Sequence, residues 1–233
     1  MRIAKFIANA GICSRREAER LIQQGEVMVD GKLITSPALN IDETNSIKVS
    51  GKNIAKLPTT RLWLYYKPVG LITTHSDPQD RPTIFQKLEG KLPRVISVGR
   101  LDLNSEGLLL LTNNGDLSRY LESPANNFER IYKVRSYGRG GEINLNNKKI
   151  TIDGVVYHPK SIRLTKKGQT NSWYEVILTE GKNREIRRIF EHFDLEVSRL
   201  IRTKFGEYSL GDMKPGEFKE VKIDENHSWK AQK

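Results

Sequence analysis

A chain of 233 residues with 37% hydrophobic residues and 18 glycines has the composition of a soluble globular protein with room for one or two cores. Its 39 Lys+Arg against 28 Asp+Glu leave a formal charge of +11, which favours a polyanionic partner, nucleic acid first among them, through long-range attraction and counterion release. No apolar run approaches the ~20 residues that span a bilayer, the single Cys13 has no partner for an intramolecular disulfide, and four scattered histidines lack metal-ligand spacing. The expectation is a cytoplasmic protein with no membrane contact, no metal and no cofactor. The opening MRIAKFIANAGICSRREAER lacks the apolar segment and cleavage site of a secretory signal and reads as folded structure.

Ile3, Phe6, Ile7 and Ala10 recur at helical spacing before a terminating Gly11, with Arg2 and Lys5 on the polar side. A second helix starts at Ser14, where Ser14 and Glu17 have capping-box spacing, and runs through Ala18, Leu21 and Ile22 to Gly25. Arg15, Arg16 and Arg20 ride on it. Arginines at a helix N-terminus oppose the macrodipole, so their placement points to a phosphate partner. Val27 and Val29, the pair Asp30-Gly31, and Leu33 and Ile34 then make a hairpin. This arrangement resembles the S4 RNA-binding domain over about residues 1 to 50, which implies that Arg2, Lys5, Ser14, Arg15, Arg16 and Arg20 face structured RNA.

Residues 51 to 61, GKNIAKLPTTR, lack periodicity and read as a linker. Strands are predicted at Leu62 to Tyr66, Leu108 to Leu111, Ile131 to Val134, Val155 to Tyr157, Ile162 to Leu164, Tyr174 to Leu178 and Val197 to Ile201. One helix stands out in GKNREIRRIFEHF, with Ile186, Ile189, Phe190 and Phe193 as its apolar stripe and Asn183 as its cap. Arg187 borders the stripe, while Arg184 and Arg188 point outward. Many strands and few helices predict an α+β domain over residues 62 to 222, built on a mostly antiparallel mixed sheet, followed by a polar tail from 223 to 233. Neither GxGxxG nor a Walker pattern occurs.

The candidate site centres on GRLDLNSEGLLLLTNNGD, residues 99 to 116, where Asp102 lies between Arg100 and a turn at the mouth of an apolar strand. Read alone, Arg100 and Asp102 are equally consistent with a surface loop pair, and Asn113, Asn114 and Gly115 with a tight turn.

In chain order, YYKPVG, the 99 to 116 segment, ERIYKV, EGKNREIRRIF and VSRLIRTKFG resemble the motifs of the RsuA/RluB-type pseudouridine synthases. That resemblance implies that Asp102 is the catalytic aspartate, Tyr132 the aromatic that stacks on the target base, and Arg187 the arginine paired with Asp102. It also implies that Arg100 helps open the RNA and that Lys67, Lys133 and Arg184 contact it. The segment DPQDRPT is closer to the large-subunit branch of the family, so large-subunit ribosomal RNA, free or in an assembling subunit, is the expected partner of a monomeric enzyme. Small-subunit RNA is the alternative. Asn114 stands where the family has an acidic residue and Arg130 where it has lysine or a small polar residue, both expected beside the site.

Forming pseudouridine breaks the bond from base nitrogen to sugar and rejoins the base through carbon. A single carboxylate serves by attacking the anomeric carbon or by removing a neighbouring sugar proton. The arginine fork would hold that carboxylate ionised by paired hydrogen bonds. Two other readings remain open at this point: a non-enzymatic RNA-binding or ribosome-assembly factor, and a hydrolase, for which Glu106 is the near candidate for a second carboxylate.

Overall fold

The computed structural model describes residues 1–42, 44–54 and 57–223; the expected polar tail beyond 223 lies outside the described residues. Helices α1 (Ile3–Asn9) and α2 (Arg15–Gln23) pack on a small antiparallel sheet of β1 (Val27–Val29), β2 (Lys32–Ile34), β3 (Ile47–Val49) and β4 (Lys52–Ile54), in the order β2-β1-β3-β4. Ile3, Ile7, Ala18, Ile22, Val27 and Ile47 form its dry centre. The Ser14 hydroxyl accepts from the Glu17 amide at 3.1 Å, while the Glu17 carboxylate takes Arg20 Nε at 3.0 Å. Asp30 and Gly31 turn the first hairpin with φ of 49° and 77°. Ser50 and Gly51 repeat the device with φ of 45° and 77°. The expected linker is therefore corrected over Lys52–Ile54: a second turn with both residues left-handed returns the chain as a fourth strand.

The larger part of the chain contains β5 (Leu62–Lys67), α3 (Ile84–Leu88), β6 (Ile96–Val98), β7 (Glu106–Thr112), α4 (Gly115–Glu122), β8 (Arg130–Gly138) and β9 (Leu145–Asn146). There follow β10 (Ile150–Ile152), β11 (Val155–Tyr157), β12 (Ser161–Lys167), β13 (Ser172–Leu178), α5 (Glu185–His192), β14 (Leu195–Phe205), β15 (Tyr208–Ser209) and β16 (Phe218–Val221). The main sheet runs β16-β5-β7-β14-β8-β13-β12-β9, with β6 paired to β7 and β15 to β14. Its pairings are antiparallel except β7 with β14, so the expected α+β class with a mostly antiparallel mixed sheet is what forms.

The run Leu108 to Leu111 is fully apolar because β7 is covered on both faces. Leu109 and Leu111 join Trp63, Tyr65, Val134, Ile189 and Phe190 on one side. Leu108 and Leu110 join Leu62, Leu64, Leu117 and Leu121 on the other. Thus α5 closes one face and α4 the other.

Helices α3 and α4 are additions to the predicted set. Thr83 and Gln86 form a reciprocal capping box for α3. Asn114 Oδ1 accepts from the Asp116 and Leu117 amides at 2.8 and 3.3 Å, so the stretch read as a tight turn is the capped start of α4. For α5 the expected Asn183 cap is replaced: Arg184, at φ 50° and ψ 28°, occupies the N-cap position without a side-chain cap. Glu185 Oε2 instead accepts from the Lys182 amide at 3.1 Å.

Gly107 controls how the two halves of the sheet meet. Its φ is +103°, and a Cβ there would lie 2.3 Å from the Arg202 carbonyl oxygen and 2.8 Å from its nitrogen. Only glycine tolerates both the angle and the approach at the β7–β14 junction. Gly107→Ala is expected to destabilise the protein by about 3 kcal/mol or more, at least as much as Leu109→Ala, in urea unfolding monitored by circular dichroism.

Candidate active site

A cleft of about 830 Å³ opens at the end of the sheet where the loop before β7 meets β8, β14 and the start of α5. Asp102, Tyr132 and Arg187, together with Arg100 and Arg184, line it. Asp102 is exposed to the cleft, Arg100 and Arg184 are exposed at its rim, and Tyr132 is buried in its wall.

The Asp102 loop is held by its backbone. The Asp102 carbonyl accepts from the Ser105 amide at 3.0 Å, and Gly70 donates its amide to the Leu103 carbonyl at 3.0 Å. Thr73 Oγ1 donates to the Leu101 carbonyl at 3.0 Å. From below, Lys67 Nζ donates to the Ser105 and Pro68 carbonyls at 2.8 and 3.0 Å. The loop can therefore present a carboxylate to the cleft without losing its shape.

Arg187 differs from the expected bidentate pairing. Its Nη1 donates to the Val197 carbonyl and its Nη2 to the Asn104 carbonyl, each at 2.9 Å. The guanidinium is half-buried, and burial and then Arg184 lower its proton affinity while Asp102 raises it. Arg187 thus ties the Asp102 turn to β14 and acts on the carboxylate through its field, without a direct ion pair.

Two expected RNA contacts lie elsewhere. Lys67 is fully buried, and its ammonium is used on carbonyls under the loop. Burial pushes it down to about 8, with Asp102 and Glu106 opposing. Lys133 is exposed, but strand alternation puts it on the face opposite Tyr132, away from the cleft. In the N-terminal module, Lys5 pairs with Asp116 at 2.7 Å, joining α1 to α4. Arg20 pairs with Glu17, Arg15 approaches Glu19 at 3.5 Å, Arg2 donates to the Ala38 carbonyl, and Arg16 is exposed. Ser14 serves as a helix cap.

Glu106 is not a free second acid. Arg199 Nε and Nη2 donate to its two oxygens at 2.7 and 3.3 Å, and the Tyr66 hydroxyl donates at 2.9 Å. The Arg199 hydrogen bond, then the Tyr66 one, hold its carboxyl below the usual range against the opposing effect of burial.

The cleft also holds residues beyond those its motifs predict. Arg130, expected beside the site, lines it, as do Arg202, Phe205 and Glu185. Arg188, expected outside, is half-buried and its Nη1 donates to the Tyr157 hydroxyl at 3.3 Å. The one available signal was period-two alternation, which puts Arg130 on the same face of β8 as Tyr132. Among the described residues no group of three or more His, Cys, Asp or Glu is arranged to hold a metal, and no helix is long and apolar enough to cross a membrane.

Lys67 has a testable signature. Its folded value of about 8 lies below its ordinary 10.5, so between those values the unfolded chain holds a proton that the folded chain has released. Stability from this group therefore rises across that window and falls as pH drops back through about 8. The stability of the wild type minus that of Lys67→Met should increase over that pH range in denaturant titrations; a difference flat with pH would contradict the burial argument.

Sequence comparison places these features in a family. The family described as RNA pseudouridylate synthase matches residues 61–192, and the S4 domain matches residues 1–47. An "uncharacterized RNA pseudouridine synthase" of Rickettsia felis (strain ATCC VR-1525 / URRWXCal2) is 58% identical over 221 residues, covering 94% of this chain and 96% of the relative. The ribosomal large subunit pseudouridine synthase B of Salmonella typhi is 40% identical over 223 residues, covering 90% of this chain and 75% of the relative. A crystal structure of pseudouridylate synthase superimposes with a TM-score of 0.64 at 25% identity, over 95% of this chain and 96% of that one. The matched region contains the Asp102 loop, Tyr132 and Arg187, and with an S4 domain ahead of it the chain belongs to the RNA pseudouridine synthases.

Proposed function

We propose that this enzyme converts a uridine of large-subunit ribosomal RNA to pseudouridine, acting as a cytoplasmic monomer with Asp102 as the reacting carboxylate. The observation that carries this reading is an exposed aspartate on a braced loop, facing a basic cleft whose wall contains a buried tyrosine. The large-subunit target is supported by the Salmonella typhi relative's name and by the DPQDRPT segment, of which Asp77, Pro78 and Arg81 line the cleft.

The target uridine must leave its stack, and Tyr132 offers a flat face worth about 1–3 kcal/mol toward that cost. In the reaction the N1–C1′ bond breaks, the base turns, a C5–C1′ bond forms, the C5 proton departs and N1 takes a proton. Asp102 either attacks C1′ and is later displaced by C5, or removes the proton at C2′ and returns it. Arg187 keeps the loop in place and supplies positive charge beside the carboxylate. Glu106, already bound by Arg199 and Tyr66, weakens the hydrolase reading, which requires a second working acid.

The experiment is to incubate unmodified large-subunit and small-subunit RNA with the enzyme and map pseudouridine chemically. The wild type should yield one new site in large-subunit RNA, and Asp102→Asn should lower the rate by about 100-fold to 10,000-fold with RNA affinity kept. A product only in small-subunit RNA overturns the target, and undiminished product with Asp102→Asn overturns the residue. Tyr132→Ala should cost roughly 5-fold to 150-fold in kcat/KM, from the lost stacking. Arg187→Lys, which replaces the planar fork whose Nη1 and Nη2 span the Val197 and Asn104 carbonyls by a single nitrogen, should lower it by roughly tenfold to a hundredfold.

A further inference from the structure

Arg130 and Arg202 are 8% and 3% exposed, respectively, yet both line the cleft, and the chemistry proposed above uses neither. Arg130 donates Nη1 to the Thr179 carbonyl at 3.0 Å and Nη2 to the Glu122 carbonyl at 3.2 Å. Arg202 donates Nε to the Leu108 carbonyl at 2.7 Å, while its Nη2 is buried with no hydrogen-bond partner. Both guanidinium carbons lie over the Phe205 ring, 5.0 and 5.4 Å from its centre.

Neither guanidinium makes an ion pair among the described residues. Burial most, and the Arg202 charge in addition, lower the proton affinity of Arg130, while Tyr132, Glu122 and Glu185 favour its charged form. Glu185 does not discharge the pair: one of its oxygens accepts from the Lys182 amide, the other has no partner, and burial pushes its carboxyl up to about 7. Two buried cations of like sign, held by neutral carbonyls and with the Arg202 Nη2 amino group unspent, are costly as they stand. An anion entering the cleft would relieve both the repulsion and the missing hydrogen bond.

The surroundings suit a tetrahedral anion. A Cβ on Gly181 would lie 3.9 Å from Arg130 Nη1, so no side chain stands between that loop and the guanidinium. Arg184, at the start of α5, adds an exposed positive charge to the same cleft. In the β8–β14 register Arg202 is directly opposite Tyr132, so the unspent donor sits on the strand beside the aromatic wall. Arginine forks match phosphate oxygens better than lysine does.

We propose that Arg130 and Arg202 form a phosphate subsite that takes the phosphodiester next to the everted uridine and sets its sugar against Asp102. This rests on the reading of the cleft as the uridine site. Both arginines are positioning residues; they grip the backbone and leave the base to Tyr132.

The test compares uridine 5′-monophosphate, uridine and inorganic phosphate as ligands of the full-length protein at fixed ionic strength, by calorimetry or by NMR of the arginine Nε–H signals. The wild type should bind uridine 5′-monophosphate at least about tenfold more tightly than either uridine or inorganic phosphate. Arg202→Gln should erase the preference over uridine while uridine binding is retained, and Asp102→Asn should keep it. On RNA, Arg202→Gln should raise KM more than it lowers kcat, and should reduce the salt slope of binding by about 0.7 to 0.9.

If Arg202→Gln does not fold, Arg202→Lys and Arg130→Gln serve in its place, and the wild-type ratio is itself decisive without any variant. Equal affinity for nucleotide and nucleoside, a preference that survives Arg202→Gln, or inorganic phosphate binding as tightly as the nucleotide would each overturn the subsite. Pseudouridine formation without the phosphate preference sinks this proposal alone. A phosphate preference that follows Arg202, in a protein that makes no pseudouridine, sinks the functional reading alone.

Discussion

The parallel junction of β7 and β14 at Gly107 is the constraint on which the site depends. Gly107 pairs with Arg202, and Glu106 with Ile201, in a sheet whose other pairings are antiparallel. The close approach brings the end of the Asp102 loop against the middle of β14. On β14 the carbonyl of Val197 then receives Arg187, and Arg199 reaches Glu106. A side chain at Gly107 would wedge these strands apart and with them the aspartate, the arginine and the aromatic wall.

Around that junction, cations are placed by carbonyl oxygens more than by carboxylates. Lys67, Arg130, Arg187 and Arg202 all donate to backbone carbonyls. Such partners hold a guanidinium or ammonium in place without cancelling its charge, so the cleft keeps a positive field for RNA. Carboxylates that do pair, Glu106 with Arg199 and Asp77 with Arg81, are thereby removed from competition with Asp102. The arrangement sets the exposed Asp102 carboxylate among braced positive groups, which suits a reaction at the sugar of a polyanion.

Much of the fold was legible because period and punctuation are local. The α2 cap, the Asp30–Gly31 hairpin and the strand at Leu108 to Leu111 follow from spacing that a short window contains. The three residues Lys52–Ile54 carry almost no pattern of their own and so predict a linker; the Ser50–Gly51 turn is what makes them the fourth strand of the N-terminal sheet. Asn114 looked like part of a turn, since a helix cap and a turn use the same short polar residue, and only the Leu117 and Leu121 contacts show which one forms.

The site divides in the same way. Asp102, Tyr132 and Arg187 share a cleft as the ordered motifs implied, whereas the partners of Arg187, the burial of Lys67 and the facing of Lys133 differ from expectation. The sequence by itself determined most of the strands, the N-terminal helices and the basic charge, because propensity, periodicity and net charge need no long-range information; Asp102 stood out through the motifs the chain shares with its family. The tertiary structure alone decided which cations meet in the cleft and what they bind. Arg202 is adjacent to Gly107 and Tyr132 only through strand register, and a guanidinium chooses between a carbonyl and a carboxylate by which one the packed backbone brings within hydrogen-bond reach.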